Sequence, residues 1–263
     1  MRKIPPFALL GALLAASGAS SSHAQTTTST ASSATWTLTP AVVSQYMFRG
    51  VRLGGPAFQP NLDMTSGDLS LGIWASTPIK DEVPGVSDPE VDLYGSYNFK
   101  LNDAASFAIG ATWYIYPDAD KSAGFYKQTF EPSIAFNYTI NGLRLTPKVY
   151  YDLVLEGPTA ELTAFYALPL KELGTELDFT ATVGTYKWEN AVEDALPDVA
   201  NWGSYWSAGV ALPFQFSTNS KLTVGIAYVR GYDNEVKQGM LPKSENTAAV
   251  GRGVVSLSYS FTF

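Results

Sequence analysis

From Thr35 to Phe263 the chain alternates between apolar and polar positions with a period of two, the signature of strands with one apolar and one wetter face. Twelve such segments can be read, at roughly 20 residues per strand and connection. The first is Thr35–Phe48, with Trp36, Leu38, Val42, Tyr46 and Phe48 on one face. Next come Pro56–Met64, Asp68–Thr77, Pro89–Phe99, Ser106–Tyr116 and Gln128–Ile140. The second half supplies Leu143–Leu155, Thr159–Leu170, Glu176–Lys187, Gly203–Phe216, Lys221–Gly231 and a closing strand ending at Phe263. Pro89–Phe99 shows the pattern well: Val91, Leu93, Tyr97 and Phe99 oppose Glu90, Asp92, Tyr94, Ser96 and Asn98.

The connections sort into two kinds. Short turns fall near Ser66-Gly67-Asp68, Leu101–Ala105, Asn141-Gly142, Lys171–Thr175 and Ser217–Ser220. The others, at Gly50–Gly55, Ile79–Asp88, Pro117–Lys127, Trp188–Trp202 and Tyr232–Ala249, are mostly longer, with a short link at Glu156-Gly157-Pro158 the exception. Short turns on one side and longer loops on the other is the pattern of an outer-membrane barrel. A Greek-key sandwich, which alternation alone would also allow, has no reason to sort its loops this way.

The last strand sharpens the choice. Val255, Leu257, Tyr259, Phe261 and Phe263 share one face, against Ser256, Ser258, Ser260 and Thr262. A chain that ends inside such a strand on an aromatic residue resembles the closing strand of bacterial outer-membrane barrels. That resemblance implies recognition by the barrel-insertion machinery through Phe263. Aromatics make up 13% of the chain, with 15 Tyr and 6 Trp. Trp36, Phe99, Tyr116, Trp188 and Trp202 stand at strand ends, where interfacial girdles are expected. The expected fold is an all-β, transmembrane, antiparallel up-and-down β-barrel of about 12 strands. An even number places both termini on the short-turn side, expected to be the periplasm.

Before Thr35, Arg2 and Lys3 precede an apolar run from Ile4 to Ala16, and Ser22-His23-Ala24 offers a cleavage site. Residues 1–24 read as a signal peptide, 25–34 as a disordered Thr/Ser-rich leader and 35–263 as the barrel. The chain carries no Cys, a net charge of −7 and one His, His23, which leaves with the signal peptide. Histidine-dependent triads, Cys-His pairs and the usual zinc and haem ligand sets are therefore excluded. The acidic balance argues against nucleic acid as a partner. Neither an enzyme nor a cofactor is expected.

Two stretches resemble a known family, the TorF-like porins: Ser44-Gln45-Tyr46-Met47-Phe48-Arg49-Gly50-Val51 with Pro56-Ala57-Phe58-Gln59 and Asp63, and Glu90-Val91-Asp92-Leu93-Tyr94-Gly95-Ser96-Tyr97 with Tyr114-Ile115-Tyr116-Pro117. The resemblance covers about the first third of the exported chain. Thr77 stands where the family pattern has Asn. It implies a barrel in the outer membrane of a Gram-negative bacterium and names no substrate.

In the barrel frame, Arg49 lies at the outer end of strand one. Gln59, Asn61, Asp63, Glu90 and Asp92 line neighbouring strands inside, so Arg49 is expected to pair with one or more of these carboxylates. Arg144, Lys148 and Asp152 form a second inward row, and Glu131 and Asp178 point inward on their own strands. These charges form either a constriction that filters solutes or a salt-bridge plug that holds strands in register. Small inward residues on the last four strands favour an open side; inward Trp74, Tyr94, Tyr114 and Tyr150 favour a narrow one. Asp118 to Gly124 has the look of a calcium loop but fails the EF-hand template at Ala123 and Thr129, so no metal site is expected. The expected role is passive diffusion of small hydrophilic solutes, and the rival is a non-conducting structural or adhesive barrel with a plugged lumen. Expected surroundings are outer-membrane lipids and lipopolysaccharide, with association between copies of the chain left open.

Overall fold

A computed structural model describes residues 34–81, 89–194, 199–238 and 248–263. Residues 1–33, where the signal peptide and most of the leader are expected, and Glu82 and Asp88 of the Ile79–Asp88 connection lie outside the described residues. The described residues hold sixteen strands: β1 (Thr35–Thr39), β2 (Ala41–Val43), β3 (Tyr46–Phe48), β4 (Val51–Gly54), β5 (Ala57–Phe58), β6 (Asn61–Ser66), β7 (Leu69–Pro78), β8 (Glu90–Lys100), β9 (Ala105–Ile115), β10 (Gln128–Ile140), β11 (Leu143–Asp152), β12 (Gly157–Leu170), β13 (Thr175–Trp188), β14 (Val199–Ser217), β15 (Ser220–Gln238) and β16 (Gly251–Thr262).

All but β3 and β4 build one closed antiparallel barrel of twelve staves. Strands β1 and β2 form the first stave, interrupted at Pro40, whose missing N–H cannot join a ladder. Strands β5 and β6 form the second, interrupted at Gln59-Pro60. From β7 onward each strand pairs with the next in sequence. Closure runs through the chain's end: β16 pairs with β1 and β2, and Trp36 and Phe263 exchange backbone hydrogen bonds of 3.0 and 2.9 Å. Among the described residues no edge strand of the wall is left.

The outward face matches the apolar periodicity. Val255, Leu257, Tyr259 and Phe261 on β16, and Phe107's neighbours Ile109 and Trp113 on β9, are among the exposed large apolar side chains. Turns at the short end use the residues that tight hairpins demand. Asn141 and Gly142 sit at φ +50° and +81°, the pair of positive angles a two-residue type I′ loop needs.

Three expectations change. The first strand does not run to Phe48. It stops at Val43, where the Ser44 hydroxyl takes the Val255 N–H at 2.8 Å and turns the chain inward. Tyr46 and Phe48 are therefore buried inside the barrel and do not face lipid. Tyr116 and Trp188 are not girdle residues either. Both have the inward parity of their strands and are buried in the lumen, whereas Trp36, Phe99 and Trp202 are exposed. The seventh predicted strand stops at Asp152 because its Oδ1 accepts the N–H groups of Val154 and Leu155, each at 2.8 Å, and so folds the link that follows.

Inward positions also divide along the barrel axis. On β13, Asp178, Thr180, Thr182 and Gly184 are half-buried, while Tyr186 and Trp188 are buried. On β8, Tyr94, Ser96 and Asn98 lie in different shells from Glu90 and Asp92, the last two being buried at the long-loop end. The lumen is thus filled at the long-loop end and reached by solvent towards the short-turn end.

Candidate functional site: a hairpin inserted in the lumen

The filling element is the β3–β4 hairpin, a two-stranded sheet separate from the wall. Its turn is Arg49-Gly50, at φ +43° and +81°. A positive φ is unusual for a residue with a Cβ, and here it persists because the side chain is held at its far end. Arg49 makes a two-pronged ion pair with Glu131 of β10, with both N–O distances 2.8 Å. The Tyr114 hydroxyl donates to the same carboxylate at 3.0 Å. The Arg49 guanidinium also lies 4.6 Å from the Phe48 ring centroid and 4.8 Å from that of Tyr150. Ring contacts together with paired bonds at the edge suit a guanidinium and would not suit a lysine.

The tip is seated by two glycines. Gly50 packs on Gly231 of β15, and a Cβ on either would overlap the other's backbone. At the base, Ser44 and Val255 share a backbone bond of 2.9 Å. On the other side, Arg52 N–H donates to the Ala248 carbonyl at 2.8 Å, and Val51 bridges Ala249. The hairpin's apolar residues Phe48, Val51 and Leu53 enter one buried cluster with Trp74, Tyr114, Tyr116, Phe125, Leu155, Tyr186 and Trp188. Wall and loops thus grip the hairpin from several sides.

A second polar contact joins hairpin and wall. The Tyr46 hydroxyl donates to Glu90 at 2.6 Å, and Tyr116 donates to the other Glu90 oxygen at 3.0 Å. Asp92 lies beside Glu90 on β8, is fully buried, and neither of its oxygens has a hydrogen-bond donor among the described residues.

The remaining candidates lie elsewhere. Gln59 donates to Ser76 at 3.3 Å. Asp63 accepts from Asn61 at 2.8 Å and from the Tyr94 hydroxyl. Arg144 lies over the Phe165 ring at 4.7 Å and Lys148 over Tyr150 at 4.4 Å. Asp152 is spent on the turn described above. Asp178 is half-buried near the short-turn end of β13. The expected pairing of Arg49 with Asp63, Glu90 or Asp92 is not what forms. Its partner is Glu131, because the hairpin carries Arg49 across the lumen from the first stave to β10.

Sequence reasoning turned Tyr94, Tyr114 and Tyr150 inward but missed Tyr205, its acceptor Glu161 and the seating Gly231. Tyr150 and Tyr205 donate to Glu161 at 2.6 and 2.7 Å. Tyr205 also lies over Gly184, its cross-strand partner, as Tyr94 lies over Gly72 and Tyr186 over Gly203. A glycine opposite an inward tyrosine is a signal visible in sequence only once the register is known. It lets the ring recline along the wall, so Tyr94 and Tyr205 narrow the lumen less than their size implies.

The loop once compared with a calcium site is a capped turn. Asp120 Oδ1 accepts the backbone N–H of Ser122 at 2.9 Å and its hydroxyl at 2.6 Å, starting a short 3-10 turn at Lys121–Ala123. Those bonds, the hydroxyl's first, hold the Asp120 carboxyl below the usual carboxylate range. Among the described residues no group of three or more His, Cys, Asp or Glu could hold a metal ion.

Comparison with known proteins agrees with the fold. The KdgM porin in complex with disordered oligogalacturonate is similar with a TM-score of 0.52 at 10% identity, over 87% of this chain and 99% of that one. The COG4313 outer membrane channel from Pseudomonas putida F1 gives 0.46 at 10% identity, over 90% and 97%. OmpT of Vibrio cholerae gives 0.39 at 9% identity, over 88% and 97%. At such identities the likeness is one of fold. No curated protein sequence matches the chain. A family model described as a bacterial protein of unknown function, Gcw_chp, matches residues 27–261, and the chain belongs to that family.

Proposed function

We propose that the protein is an outer-membrane channel for passive diffusion of small hydrophilic solutes, narrowed at one end by the inserted hairpin. The observation that carries this reading is the division of the lumen. Its short-turn half is walled by Thr, Ser, Ala and Gly, such as Thr180, Thr182, Gly209, Ala227 and Ser258, with intermediate exposure at Thr180 and Thr182. A wall of that kind is wet and leaves room. The resemblance to TorF-like porins over the first third of the chain points the same way.

Arg49 and Glu131 at the hairpin tip form the constriction, with Glu90 and Asp92 beside it. Solutes moving down their gradient are screened there by size and charge. Gln59, Asp63, Arg144, Lys148 and Asp178 set the electrostatic lining of the wider half. In this reading both termini face the periplasm, Phe263 serves the insertion machinery, and lipopolysaccharide meets the long-loop end.

A second reading is favoured by one observation: Tyr46, Phe48, Val51 and Leu53 are at most 5% exposed. A hairpin packed that tightly would make the barrel a plugged structural protein. Twelve staves do not decide between them, since barrels of about eight are filled and those of about 16–18 conduct.

The test is single-channel conductance of refolded protein in planar bilayers, beside a variant with residues 46–54 replaced by a short Gly-Ser link. Small discrete steps in the native chain, several-fold larger in the variant, are the expected result. A silent native chain with a conducting variant would establish the plugged reading. Silence from both, with heat-modifiable barrels present, would overturn the channel.

A further inference from the structure

Glu90 and Asp92 stand two residues apart on β8, so strand alternation turns both carboxyls to the lumen. Their side chains meet there. Glu90 is 1% exposed and Asp92 fully buried. The guanidinium at the hairpin tip, Arg49, is committed to Glu131 through both terminal nitrogens. Asp92 takes part in no ion pair among the described residues, and no group there other than the Glu90 carboxyl beside it reaches its oxygens. A buried carboxylate left like this is costly, and proteins relieve that cost with a counter-charge or a proton.

The surrounding atoms favour a particular counter-charge. Among the described residues the candidate donors are oxygens: the two carboxyls and the buried hydroxyl of Ser76, which is the cross-strand partner of Glu90. Neither a thiolate nor an imidazole is at hand, since the chain has no Cys and its one His is His23, ahead of the barrel. Two carboxylates and hydroxyls suit a hard cation, and two negative charges suit a divalent one.

We propose that Glu90 and Asp92 form a binding site for a hard divalent cation, Ca2+ or Mg2+, between the barrel wall and the inserted hairpin. The cation neutralises the pair. Because Tyr46 of the hairpin donates to Glu90, the cation also ties the hairpin to β8. Removing it leaves like charges facing each other beneath the hairpin and loosens that end of the plug. The site goes beyond the channel reading and does not depend on it, since binding is measured without conductance.

The experiment uses the full barrel refolded after chelator treatment and titrated with Tb3+, which substitutes for Ca2+ and emits when nearby aromatic residues are excited. Tyr46, Tyr116 and Trp74 surround the pair. Saturable emission displaced by Ca2+ is expected, falling by roughly tenfold or more in Asp92→Asn and Glu90→Gln and unchanged in the loop control Asp120→Asn. Absence of emission from folded native barrels would overturn the site. So would emission that survives in Asp92→Asn, or that depends on Asp120. If either pair variant fails to fold, protease cleavage within residues 46–54 of the native chain decides. Slower cleavage in Ca2+ than in matched Na+ supports the site. Cleavage that responds to pH and to no cation would assign the pair a shared proton instead and overturn the proposal.

Discussion

The two halves of the lumen solve the same problem in opposite ways. At the long-loop end, inward side chains are large and mutually bonded: Trp74, Tyr114, Tyr186, Trp188, Glu90 and Glu131 close around a hairpin supplied by the chain itself. At the short-turn end the inward positions are small, and Asp63 is held there by Tyr94, which reclines over Gly72. The wall is one continuous sheet throughout. Strand count sets the diameter of such a barrel, while how far this lumen is filled depends on what one connection does after leaving the wall.

The largest effect in this comparison should come from the ion pair. Glu131→Ala leaves Arg49 buried without a counter-charge. It should destabilise the hairpin's seat by about 3–5 kcal/mol, seen as hairpin release in limited proteolysis and as increased conductance. Arg49→Met combined with Glu131→Leu should recover stability to within about 1 kcal/mol of the native chain in denaturant unfolding, because the cost lies in the orphaned charge. A double variant as damaged as Glu131→Ala would show that the pair is worth more than its neutral replacement.

Next in size is the glycine contact. A side chain at Gly231 meets the Gly50 backbone, so Gly231→Val should push the tip away at about 2 kcal/mol while leaving the barrel heat-modifiable. Protease cleavage confined to residues 44–56 would be the readout, and an uncut hairpin would show that the tip tolerates displacement. In the open half effects should be smaller. Tyr94→Phe removes the hydroxyl bonds to Asp63 and Asn61 and should cost about 1 kcal/mol in unfolding. The smallest change is expected from Thr182→Ala, which loses one bond to Thr163 in a hydrated wall: about 0.5 kcal/mol, with conductance unchanged. Equal effects at Thr182 and Glu131 would erase the distinction between the halves.

Much of the wall was legible in the sequence, for a plain reason. Alternation fixes which face of a strand is apolar, and lipid outside a barrel demands that face without interruption. Gln128–Ile140 is predicted and observed with the same bounds, and Leu143 follows Asn141-Gly142 directly into the next strand. Inward parity likewise located Glu90, Asp92, Glu131, Arg144, Lys148 and Asp178. That same parity marks Tyr116 and Trp188 as lumenal. They were misassigned to the girdles because their position at strand ends was weighed above it.

The hairpin was not legible. Tyr46-Met47-Phe48 continues the apolar rhythm of the first strand, and a local pattern cannot distinguish a strand that stays in the wall from one that leaves it. The turn at Ser44 is completed by Val255, and the partner of Arg49 stands 82 residues away on β10. By itself the sequence determined a closed barrel of alternating strands, because each choice of face is local and lipid enforces it. Only the tertiary structure decided that one connection would fold back into the lumen, because that choice depends on distant residues meeting across the closed ring.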